Sequence, residues 1–174
     1  MSLYKLIVEF IDLRSFSNLW YWIAVFAVWT KATRWGLGVP YDMVRQARRQ
    51  GGPALQDLEV MARITTGRML ATSRGLGPWL VGLVSFGITV LALLGFIYQS
   101  GLALALFCLF VPLCGLGYLT LRAALRVEAG EGQGAPLIAL LSGHRRSVQF
   151  LAVLAVGATI LFGFYTNAQL FGLS

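Results

Sequence analysis

The chain reads as an all-α, polytopic integral membrane protein of about four transmembrane helices, accompanied by interfacial amphipathic helices. Two observations carry that class. The 174 residues have a mean hydropathy of +0.73 and only 12% charged side chains, where a soluble domain carries about 25%. The charges are also segregated, because residues 15–30, 75–121 and 147–174 contain none. A helix needs roughly 20 apolar residues to cross the hydrocarbon core, so the middle run holds two crossings and the last holds one. The first run is short and crosses only if flanking residues reach into the interface.

Taken in order, residues 1–17 predict an interfacial amphipathic segment. Leu3, Leu6, Ile7 and Phe10 recur at helical spacing, and Lys5, Glu9 and Asp12 share the other face. Glu9 and Asp12 interrupt the apolar stretch, which argues against a cleavable signal peptide. The first span covers residues 18–34, with Ser17 or Asn18 as its cap. Trp20, Tyr21, Trp22, Phe26 and Trp29, with Trp35 just beyond, cluster towards its ends as an aromatic belt does.

Residues 35–74 form the largest polar stretch and predict two helices. One covers 42–50 and stops at Gly51 and Gly52; the next opens at Pro53. Along this second helix Leu55, Leu58, Met61 and Ile64 follow at threes among Asp57, Glu59, Arg63 and Arg68. That pattern predicts an amphipathic helix resting on the membrane or on a partner. Pro78 and Trp79 open the second span, 75–98, and a tight turn over 99–101 leads to the third, 101–122, with a kink at Pro112. Residues 123–147 form a second basic loop, within which 128–134 reads as a flexible linker. The fourth span covers 148–171.

Orientation follows from the basic residues. Residues 31–74 hold eight of the fourteen, Lys31, Arg34, Arg45, Arg48, Arg49, Arg63, Arg68 and Arg74; residues 122–146 hold four more, Arg122, Arg126, Arg145 and Arg146. The positive-inside rule places both segments in the cytoplasm. With four spans in a bacterial inner membrane, both termini then face the periplasm. The run from Arg45 through Arg48 and Arg49 is a basic patch that suits anionic lipid better than nucleic acid, so no nucleic-acid partner is expected.

The search for chemistry returns little. The spans carry no ionisable residue near their centres, whereas ion and proton transporters usually keep one there. No nucleophile elbow, phosphate-binding loop or zinc-protease motif appears. Cys108 and Cys114 are six apart on one helix, cannot bridge each other there, and read as small buried hydrophobes. His144, beside Arg145 and Arg146, reads as a solvated loop residue. The expectation is therefore no catalytic residue, no metal site and no cofactor. Small residues do recur on seams: Gly82, Ser85, Thr89 and Ala92; Ala105, Cys108, Pro112 and Gly115; Ala155, Thr159, Gly163 and Asn167. Such seams let helices approach closely in lipid, within the chain or against another protein.

The stretch from Phe10 to Trp22 (FIDLRSFSNLWYW), with Gly38-Val39-Pro40-Tyr41-Asp42-Met43-Val44 after the first span, resembles a family of small membrane proteins of alphaproteobacteria labelled "component of the SufBCD complex". The resemblance implies a link to iron–sulfur cluster assembly and carries no defined site residue with it. No cysteine stands outside the third span to hold a cluster, so any such role is docking or scaffolding. The function expected is that of a non-catalytic accessory or scaffold subunit contacting membrane lipids and a protein partner. Arg45, Arg48 and Arg49 supply the charge for that contact, and Leu55, Leu58, Met61 and Ile64 its apolar anchors. The alternative is a small oligomeric transporter or channel.

Overall fold

The computed structural model describes residues 19–170. The expected interfacial segment 1–17, and the capping residues Ser17 and Asn18, lie outside the described residues. The chain is helical almost throughout: α1 (Leu19–Arg34), a hairpin of β1 (Trp35–Gly36) and β2 (Val39–Pro40), α2 (Tyr41–Gln50), α3 (Gly52–Ala92), α4 (Gly101–Arg126) and α5 (Gly134–Leu170). π-helical turns prolong α3 over Leu93–Ile97 and α4 over Val127–Glu131.

Three helices are long and apolar enough to cross a membrane, Gly52–Ile97, Gly101–Glu131 and Gly134–Phe164. With 16 residues, α1 spans about 24 Å against a hydrocarbon core of about 30 Å. It packs along the other helices instead of lying apart. Val25 and Trp29 are buried with Ala155, beside Leu151 and Leu109. The Tyr21 hydroxyl donates to the Ala105 carbonyl at 3.1 Å.

The polar stretch and the second span are not separate elements. The helix that starts at Gly52, with Pro53 in its first turn, continues through Pro78 without a break. A proline in a helix interior costs one backbone hydrogen bond. Ending the helix there, at the edge of an apolar run, would orphan several backbone groups. The residues of the expected amphipathic helix are thus the near end of a rod of 46 residues, about 69 Å long at the usual rise. Similarly, α5 joins the later part of the expected basic loop 123–147 to the fourth span in one helix of 37 residues.

Where α3, α4 and α5 run beyond their apolar stretches they meet α2 and the hairpin in a packed head. Leu58 and Leu137 are fully buried at its centre, with Val39, Val44, Ala62, Ala124, Leu140 and Leu141 around them. The hairpin is held tightly. Leu37 and Gly38 have φ of 55° and 73°, the two positive angles that a two-residue turn of this kind needs. A leucine in that region costs about 1–2 kcal/mol, and its side chain, 1% exposed, is anchored in the head core. A Cβ on Gly38 would come within 2.5 Å of Thr65 Cγ2 on α3, so this position admits only glycine.

Residues 128–134 are fastened, not a loose linker. Glu128 pairs with Arg74 and Glu131 with Arg126, each at 2.7 Å. Glu59 accepts a 2.7 Å hydrogen bond from the Gly134 N–H at the start of α5. Gly130 turns the chain with φ of 120°. At the opposite end of the rods, the α3–α4 turn closes where Gly95 lies against the Leu104 backbone.

Candidate functional site

Helix α2 buries Val44 and Ala47 and leaves Arg45, Arg48 and Arg49 exposed. Its own start carries Asp42, and it stops where the Gly51 N–H donates to the Ala47 carbonyl at 3.0 Å. Among the described residues only two ion pairs form, Arg74–Glu128 and Arg126–Glu131. Arg145 stacks over the Tyr41 ring at 3.8 Å, in cation–π contact. The three arginines of α2, together with Arg63 and Arg68, therefore point their charge outward with no acidic partner in the described chain.

The apolar row expected to anchor a partner is placed differently. Leu58 is fully buried, and Leu55 and Met61 pack against the same core. Of that row, Ile64 alone is exposed, at 55%. The reason is geometric: a step of three drifts about 60° per repeat around a helix, so a row that starts towards the core ends on the outside. The outward stripe of α3 is instead Val60, Arg63, Ile64, Gly67 and Arg68, at steps of three, one, three and one, all exposed. Val60 is 54% exposed. Sequence reasoning missed it, although its i, i+4 spacing to Ile64 between arginines was a readable signal. Beside this stripe a surface cleft of about 490 Å³ opens between α3 and the 127–133 turn, lined by Arg63, Thr66, Gly67, Glu128 and Gln133.

The small-residue seams divide in the same way. Ala155 and Thr159 are buried at 4% and 2%, and Gly163 is buried too. Thr159 satisfies its hydroxyl by donating to the Ala155 carbonyl at 2.8 Å. Gly82, Ser85 and Thr89 are exposed, and among the described residues nothing outside its own helix backbone lies within 4 Å of where a Cβ on Gly82 would be. The face of that span used inside the chain is the one carrying Gly87, against Phe110, and Gly95. In α4, Ala105 and Cys108 are buried, while Pro112 and Gly115 are half-buried and Gly115 lies against Leu151. The side chain of Asn167 lies outside the described residues.

His144 is buried, not solvated, at 7% exposure. α5 continues through it, and it lines a cleft together with Leu119, Arg122, Ala123 and Arg126 of α4. Burial lowers its pKa from the ordinary histidine value. No cluster of three metal-ligating side chains occurs among the described residues. No protein-family model, curated protein or solved structure matches the chain.

Proposed function

We propose that this protein is a non-catalytic accessory or scaffold subunit of the bacterial inner membrane, whose cytoplasmic head docks an acidic face of a larger protein complex. One observation carries the reading: a head with its own buried core presents an outward stripe, Val60, Arg63, Ile64, Gly67 and Arg68, and, on α2, three exposed arginines with no acidic partner among the described residues. Aliphatic anchors rimmed by arginine form the common chemistry of a protein contact, the apolar part holding and the charge steering. The excess of eight basic over three acidic residues in 31–74 favours an acidic partner and the cytoplasmic side. On this reading α1 is a fourth crossing, and both termini face the periplasm. The resemblance to the SufBCD-labelled family points to iron–sulfur cluster assembly as the process served.

A second reading, a small oligomeric transporter or channel, has one observation in its favour. Gly82, Ser85 and Thr89 face outward, where a second copy would meet them. The two readings separate in one experiment. Tagged chain is purified in a gentle detergent, and its co-purifying proteins are identified by mass spectrometry, in native form and as Val60→Ser/Ile64→Ser. The scaffold reading expects a defined set of proteins that the variant loses at unchanged chain level. If the variant retains the set, or if no set is recovered and the purified protein moves a solute across liposomes, the scaffold reading fails.

A further inference from the structure

A second cleft, of about 440 Å³, lies between the end of α4 and the start of α5, lined among others by Arg122, Arg126, Glu131, Gly143 and His144. Its lining residues recur at helical spacing on both helices: 119, 122, 123 and 126 on α4, and 136, 139, 140, 143, 144 and 147 on α5. It is therefore the groove between two antiparallel rods. Its depth follows from the sequence. The uncharged run of α4 ends at Leu121 and that of α5 begins at Ser147, so Arg122 and Ser147 mark the level where hydrocarbon gives way to headgroups.

The charges of the groove are few and already partly matched. Arg126 donates twice to Glu131, from Nε at 3.0 Å and from the terminal nitrogen at 2.7 Å. Arg122 is exposed and has no acidic partner among the described residues. The buried His144 resists protonation. The wall thus presents one unmatched positive charge at the phosphate level, above an apolar floor of Ala123 and Leu140. Gly143 keeps the floor open, since nothing lies within 4 Å of where its Cβ would be.

We propose that this groove binds the phosphodiester of an anionic phospholipid, with Arg122 as its principal donor and Gly143 making the space. A guanidinium matches a phosphate with two parallel hydrogen bonds, and basic pockets between transmembrane helices are a recurring lipid site. A zwitterionic lipid fits less well. Its ammonium would need an acidic acceptor, and Glu131 is already bound to Arg126. The inference rests on the membrane-embedded helices and is independent of any docked partner.

The test is native mass spectrometry of the full chain in detergent, titrated separately with phosphatidylglycerol and phosphatidylcholine. The expected result is a retained phosphatidylglycerol adduct where phosphatidylcholine leaves none. Arg122→Gln should cut its occupancy at least fivefold, as should Gly143→Leu, which fills the groove without touching a charge. Gln56→Ala, exposed on α3 and outside the groove lining, should leave it unchanged. Equal retention of the two lipids overturns the proposal, as does native-level binding in both groove variants. Displacement of phosphatidylglycerol by millimolar inorganic phosphate overturns the lipid as the source and makes the groove a site for free phosphate.

Discussion

Leu58 and Ile64 sit six residues apart on one helix and have opposite roles. Leu58 has no exposed surface and Ile64 is more than half exposed. Leu58→Ser leaves a cavity and buries a hydroxyl, which should destabilise the head by about 3 kcal/mol or more. Ile64→Ser should change stability by less than about 0.5 kcal/mol. Thermal unfolding of the purified variants in detergent checks the contrast; equal losses would mean that the stripe is also core. The amphipathic row was legible in the sequence, but not what covers it, because the covering residues Ala124 and Leu137 lie on helices more than sixty residues further along.

His144 gives the pH dependence. Its pKa in the folded chain is lowered by burial from the ordinary 6.5. The unfolded state therefore takes up the proton first as pH falls. The stability that the neutral ring permits is fully present above about pH 6.5 and is lost as pH drops from there towards the lower folded value. The head should melt at lower temperature at pH 5.5 than at pH 7.5, and His144→Gln should flatten that difference. An unchanged slope in the variant would mean that the pH dependence does not come from His144. The burial was illegible locally, since Arg145 and Arg146 beside it read as solvent.

At the scale of elements, the main departure from the sequence reading is α3. The three long apolar helices and the α2 stop at Gly51 were legible from charge-free runs and glycine placement. The continuity of α3 across Pro78 was not, because proline signals a boundary and the cost of orphaned backbone beside lipid is a matter of context. A continuous rod fixes the head to the span with no hinge. Spin labels at positions 63 and 83, 20 residues apart, should lie about 30 Å apart along the axis in a narrow distribution. A short or broad distribution in double electron–electron resonance would mean a joint at Gly75–Pro78. The same rigidity explains the fastened turn, where Arg74, on the rod, holds Glu128.

At the scale of the whole molecule, the charges of the described residues are concentrated at one end of the rods. That asymmetry predicts the orientation. Alkaline phosphatase fused after Ser174 should be active and a fusion at Gly51 silent, and the reverse pattern would invert the topology. Orientation in turn decides what the outward stripe can meet. Its aliphatic pair is set between arginines that form no ion pair among the described residues, and the proposed docking role predicts a protein contact there. Photo-crosslinking in living cells reads that contact directly. A photoreactive side chain at position 64 should give a discrete protein adduct that disappears when Arg45, Arg48 and Arg49 are all changed to Glu, while the same probe at the outward-facing position 83 gives none. Adducts at position 64 that match those at position 83, or that survive the charge reversal unchanged, would contradict a docking head.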